Sequence, residues 1–202
     1  MNISSRENII KLVADGYVER GLFSGIEWLA EKSGKTILSG KAGYKKFEDK
    51  SPIPENAIYR IYSMTKPITA VLALKLVEKG MLRLYDPVSA FIPSFDGLKV
   101  LKSDGTTESI SRPMTIEDLL THRSGLTYDF LMGCHVAPLY SAQDISDDGS
   151  KNLKEKCEAL SQLPLAYQPG TRFNYSVSLD VLARIIEVVS EEDFYKLLKK
   201  EI

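Results

Sequence analysis

One segment limits the possible folds more than any other. From Ile68 to Val77 nearly every residue is apolar, Thr69 and Lys75 being the exceptions, and Gly80 follows shortly after. Pro67 stands just ahead, and proline is tolerated only in the first turn of a helix. The segment therefore reads as a helix starting close to Ser63 and stopping at Lys79-Gly80, where glycine supplies the C-terminal cap. A helix that is apolar all round is buried on most sides. A chain with such a helix needs further layers to cover it.

The 202 residues, 44% hydrophobic and 26% charged, supply enough apolar surface for a core and exclude a disordered or collagen-like chain. Lys and Arg number 26 against 27 Asp and Glu, so no basic excess exists to hold nucleic acid. No apolar run is long enough to span a membrane, and Met1-Asn2-Ile3-Ser4-Ser5-Arg6-Glu7 lacks the apolar core of a secretory signal. The two cysteines, Cys134 and Cys157, read as reduced thiols in a chain of this size. The expectation is a cytoplasmic protein.

Ser4-Ser5-Arg6-Glu7 has the form of a capping box, and Ile9, Leu12, Val13 and Tyr17 continue it at helical spacing to Gly16 or Gly21. Phe23–Ala30 and Thr36–Gly43 then form an antiparallel hairpin about Ser33-Gly34. Helix followed by hairpin points to an α+β arrangement rather than a βαβ unit. Residues 86–114 look irregular, with Asp104-Gly105 turning between two short strands. Short helices are expected after Thr115 and over Asn152–Leu163, a long one over Ser178–Val189, and a last one from Glu191. Asp144, Asp147, Asp148 and Gly149 mark a polar loop without the ligand spacing of a calcium site.

Several motifs fail. Gly34-Lys35-Thr36 matches the end of a phosphate-binding loop, but Leu29 occupies the position of the required glycine. No Gly-x-Ser-x-Gly elbow occurs, and neither His122 nor His135 belongs to a metal-binding pair. No metal and no organic cofactor is implied.

Ser63-Met64-Thr65-Lys66 is a Ser-x-x-Lys tetrad. With 20 serines and 18 lysines in the chain, chance alone supplies about two. Its setting adds weight. Residues three apart share a helix face, so the Lys66 ammonium reaches the Ser63 hydroxyl. The helix N-terminus favours a developing alkoxide. Burial of Lys66 would disfavour its charge and push it toward a base. The plain alternative is a serine cap followed by an exposed lysine.

Two further blocks change that balance. Leu119-Leu120-Thr121-His122-Arg123-Ser124-Gly125-Leu126 follows one short helix, and Pro169-Gly170-Thr171-Arg172-Phe173-Asn174-Tyr175-Ser176 precedes the long one. With the tetrad, and in this order, they resemble the serine β-lactamase and penicillin-binding-protein superfamily, with greatest likeness to class C β-lactamases and family VIII esterases. The resemblance implies a β-lactamase/transpeptidase-like α+β fold, an antiparallel sheet with a mainly helical subdomain over residues 64–174. It makes Ser63 the acylated nucleophile, Lys66 its partner, and Tyr175 the general base or proton relay, with Lys66 supplying the cationic charge a tyrosine needs at neutral pH and the Ser63 amide as half of an oxyanion hole. His122 reads as structural, and Tyr128 as lining an acyl pocket.

The chain departs from the family pattern at two points. Val177 stands where the Tyr-x-Asn element has its asparagine, so this substrate-binding position lacks an amide, which favours esters over lactams. No Lys/His/Trp-x-Gly element follows Tyr175. The chain thus reads as a single β-lactamase-like domain over 1–202 whose sheet is incomplete, a complementary C-terminal segment being expected to supply the rest. The implied chemistry is hydrolysis of small carboxylic esters through an acyl-enzyme. Alternatives are a β-lactamase, a D-alanyl-D-alanine carboxypeptidase-like enzyme, or a non-catalytic binding member of the fold.

Overall fold

The structure, a computed structural model, describes residues 3–146 and 149–202. Asp147 and Asp148 of the acidic loop, and the side chain of Ser4 in the expected capping box, lie outside the described residues. The chain forms two compact units, 1–60 and 61–202.

In the first unit, helix α1 (Ile3–Glu19) packs against a hairpin of β1 (Gly25–Lys32) and β2 (Lys35–Gly43). The strands pair antiparallel from Gly25↔Gly43 to Lys32↔Lys35, with a bulge at Ala30/Glu31. Ser33 (φ 51°) and Gly34 (φ 71°) make the two-residue turn, whose left-handed backbone matches the twist of the strands.

The second unit begins with a 3₁₀ turn at Tyr62–Met64 that runs directly into α2 (Thr65–Glu78). Pro67 falls in the first turn, as its missing N–H requires. Only Thr69, Leu72, Ala73 and Leu76 of α2 are buried, while Val71 and Leu74 are about half exposed. The expectation of burial on most sides holds for one face, which packs chiefly on the long helix near the C-terminus.

Beyond α2, β3 (Lys99–Leu101) and β4 (Thr107–Ser109) form the short hairpin expected about Asp104-Gly105. Leu165 extends β3 through bonds from its N–H to the Lys99 carbonyl and from the Leu101 N–H to its own. Helix α3 (Ile116–Leu120) opens on a capping box in which Thr115 accepts from the Asp118 N–H. Helix α4 (Ala137–Ala142) follows, then α5 (Leu153–Ser161), capped reciprocally by Asn152 and Glu155.

Helix α6 (Ser178–Ser190) is the centre of this unit. Val181, Leu182, Ile185 and Ile186 are fully buried, and α2, α3, α5 and the final helix α7 (Phe194–Glu201) pack around it. Helix α7 starts later than expected. Glu191 adopts a left-handed conformation (φ 55°) that ends α6, and Asp193 caps α7 by accepting the Lys196 N–H. The acidic run is a break between helices rather than a first turn. Cys134 and Cys157 are both free and buried. Among the described residues no helix is long and apolar enough to cross a membrane.

Candidate active site

The Ser-x-x-Lys spacing does what helical geometry requires. Ser63 is exposed at the N-terminal end of α2, and one turn on Lys66 returns its Nζ to 3.1 Å from the Ser63 Oγ. Tyr62, immediately before Ser63, holds a left-handed backbone (φ 46°), a conformation that costs a non-glycine residue energy and recurs at functional sites.

Tyr175 comes from a segment more than a hundred residues away. Its phenol oxygen lies 2.7 Å from the Ser63 Oγ. Tyr128 completes the cluster: Lys66 donates to its hydroxyl at 2.9 Å, and the two tyrosine rings lie 5.5 Å apart. The Lys66 ammonium sits over both rings, 4.9 Å from the centre of Tyr175 and 5.3 Å from that of Tyr128. Four of the five site residues expected from sequence therefore converge.

Val177 does not join them. It is 1% exposed within the core, at the turn into α6, and its N–H bonds the Thr127 carbonyl. Of the Tyr175–Ser178 stretch only Tyr175 remains partly exposed. The Val177 side chain is enclosed by the core rather than open to a substrate, and as a valine it carries no amide.

Electrostatics assign different protonation states to the three polar partners. Burial opposes the Lys66 charge, but its hydrogen bonds to Tyr128 and Tyr175 outweigh that cost, and its pKa rises above the ordinary lysine value. This corrects the expectation that burial makes Lys66 a base; it stays a cation. For Tyr175, burial raises the phenol's pKa, yet the hydrogen bonds from Ser63 and Lys66 and the ammonium charge prevail and pull it below the ordinary value. For Tyr128 burial wins over the Lys66 bond, and its pKa is raised. Of two phenols facing one ammonium, Tyr175 is the one poised to lose a proton.

A residue read as structural also reaches this site. The His122 ring lies 4.9 Å from that of Tyr175, and its Nδ1 accepts the Ser176 N–H at 3.2 Å. Burial, then the Lys66 charge, push its pKa down to about 4, so the imidazole is neutral at pH 7. No periodicity could have announced this, because 54 residues separate the partners. A test follows from the sign of the shift. In the unfolded chain histidine takes up a proton near pH 6.5, whereas folded His122 does so near 4. Stability should be full above pH 6.5 and decline as the pH falls toward 4. Urea unfolding midpoints across that window should show this decline in the wild type and a smaller one in His122→Asn.

The arrangement has close parallels. The Beta-lactamase family model matches residues 10–202. Esterase EstB of Burkholderia gladioli is 34% identical over 172 residues, covering 84% of this chain and 41% of EstB. The structure described as EstCE1, a hydrolase with promiscuous acyltransferase activity, superposes with a TM-score of 0.79 at 26% identity, over 100% of this chain and 52% of EstCE1. The octameric penicillin-binding protein homologue from Pyrococcus abyssi gives 0.70 at 28% identity, over 100% of this chain and 42% of the homologue. The chain spans about half the length of the curated relatives it matches. With its fold, the order of its three sequence blocks and a match over almost all of its length, the chain belongs to the beta-lactamase family.

Proposed function

We propose that this chain carries the acylating centre of a serine hydrolase for small carboxylic esters. The observation that carries the reading is the contact of Tyr175 with Ser63 at 2.7 Å beside an ammonium that stays charged. As the Ser63 Oγ adds to an ester carbonyl, its proton passes to the Tyr175 phenolate, and the carbonyl π pair moves to the carbonyl oxygen. Collapse of the tetrahedral intermediate breaks the ester C–O bond, and the departing alkoxide takes the proton from Tyr175. Water then attacks the acyl carbonyl and gives a proton to Tyr175; collapse of this second tetrahedral intermediate breaks the acyl C–Oγ bond, and Tyr175 returns the proton to the Ser63 oxygen as the acid leaves. Lys66 donates throughout and holds the phenolate charge. In this reading the Ser63 amide, in the turn ahead of α2, supplies one oxyanion donor.

The ester preference rests on the likeness to EstB and EstCE1. A second acyl acceptor is also supported. An acyltransferase from Penicillium decumbens is 30% identical over 171 residues, and the EstCE1 description includes acyl transfer, so an alcohol is a natural competitor of water for the acyl-enzyme. The test is to measure p-nitrophenyl butyrate and nitrocefin side by side, following both turnover and the mass of the protein. Faster acylation by the ester is expected. Clear preference for nitrocefin would return the protein to lactam chemistry.

A further inference from the structure

The turn that carries Tyr175 is fastened by a set of buried groups that the acyl-transfer scheme does not use. The His122 Nδ1 lies 3.2 Å from the Ser176 Oγ as well as accepting the Ser176 N–H. The Ser176 Oγ is 2.6 Å from the Ser178 Oγ, which is 2.7 Å from the Ser124 Oγ, and all three serines are fully buried. The row ends where Ser124 accepts the Leu126 N–H. On the other side of Tyr175, the Asn174 N–H donates to the His122 carbonyl and the Asn174 side chain to the Leu126 carbonyl, both at 2.8 Å. The residues before and after Tyr175 are therefore both tied to His122.

His122 is also strained. Its φ of 53° is left-handed, where glycine or asparagine is cheaper. What histidine adds at that backbone position is an acceptor at Nδ1 and a flat face. The face lies against Tyr175 and is flanked edge-on by Phe173 at 5.8 Å. A fully bonded polar row inside a core settles into one arrangement, because any slip leaves a buried group unpaired.

We propose that His122 is a positioning residue for Tyr175: its Nδ1 fixes Ser176, its ring backs the phenol, and together they set the Tyr175 oxygen on Ser63. This rests on the reading of Tyr175 as the base. The groups that face Tyr175 are the Ser63 hydroxyl, the Lys66 ammonium, the Tyr128 phenol and His122, with the Asp180 carboxylate, itself paired with Lys156, acting at longer range.

The experiment is a pH titration by NMR of protein carrying ¹³Cζ-tyrosine, the Tyr175 signal being assigned with Tyr175→Phe. It is run beside the rate at which a fluorophosphonate captures Ser63. In the wild type Tyr175 should titrate below the ordinary value of about 10. In His122→Ala the midpoint should move up to that value, and capture should slow on the order of tenfold to a hundredfold. His122→Asn, whose Oδ1 replaces Nδ1 and whose backbone tolerates the left-handed turn, should restore most of both. A folded His122→Ala protein with an unmoved midpoint overturns the proposal, as does an asparagine variant no better than alanine. If the alanine variant does not fold, Ser178→Ala carries the same test, and an unmoved Tyr175 midpoint there counts against it. The titration does not depend on catalysis. A lowered wild-type midpoint without any capture refutes the acyl-transfer reading alone.

Discussion

Replacing Ser63 by alanine should abolish covalent capture of a fluorophosphonate, and Lys66→Ala and Tyr175→Phe should each slow it by about 10²–10⁴-fold. The Lys66→Ala, Tyr175→Phe double variant should be little worse than either single one. The geometry explains the non-additivity. Against burial, the Ser63 hydroxyl and then the Lys66 ammonium lower the Tyr175 pKa, and Lys66 also bonds the Ser63 oxygen directly, so the three side chains share one set of contacts. Removing either member disables the unit, so the second removal has little left to remove. Lys66→Arg should not rescue, since a planar guanidinium cannot occupy the compact point between the Ser63 and Tyr128 oxygens. Capture rates measured by intact mass over time decide this, and additive losses would show that the two side chains act separately.

The second large effect is on stability. Arg112→Ala should cost about 3 kcal/mol, the low end of the range for breaking a buried pair, read as a fall in the urea midpoint at pH 7. Asp118 is 4% exposed, and both of its oxygens are engaged by Arg112, at 2.7 and 2.8 Å. Thr115 adds its N–H and hydroxyl, which makes the same carboxylate the cap of α3. Burial raises the Asp118 pKa, but these bonds outweigh it and hold the carboxyl below its ordinary value. Without Arg112 the charge stays buried with only the threonine beside it. Arg112 is itself partly open to solvent, which lets water compensate in part and places the cost at the low end. Asp118→Asn should be milder, because it removes the buried charge itself and leaves only Arg112, which is partly open to water, without its partner.

The parts legible from sequence were those governed by local rules. The two hairpins follow from turn residues, since Ser33-Gly34 and Asp104-Gly105 each sit between short β-prone runs. Pro67 and Gly80 bracket α2, and the Ser63–Lys66 contact is a property of helix spacing. Helix α4 escaped because six residues are too few for periodicity to register, and only Pro138 in its first turn hints at it. The start of α7 was misplaced because an acidic run suits both a helix N-terminus and a turn, and only the backbone shows which.

The site divides in the same way. The approach of Tyr128 and Tyr175 to the Ser63–Lys66 pair is legible through the resemblance of three sequence blocks, not through spacing. Burial alone points Lys66 toward a base, and the sequence does not show the two phenols that outweigh it; the cation that Tyr175 needs is the reading the electrostatics favour. The inward direction of Val177 and the contact of His122 with Tyr175 depend on tertiary packing, and no local pattern encodes them.

The central claim is that Ser63 is made nucleophilic by Tyr175 beside a charged Lys66. It is tested most directly by treating the protein with a fluorophosphonate from pH 6 to pH 10 and locating the adduct by peptide mass. The account predicts one adduct, on Ser63, forming at a rate that rises with loss of a proton from a group with a midpoint below about 10, and that both the rise and most of the rate vanish in Tyr175→Phe. An adduct on another residue, or a Ser63 rate and pH profile unchanged by Tyr175→Phe, would contradict it.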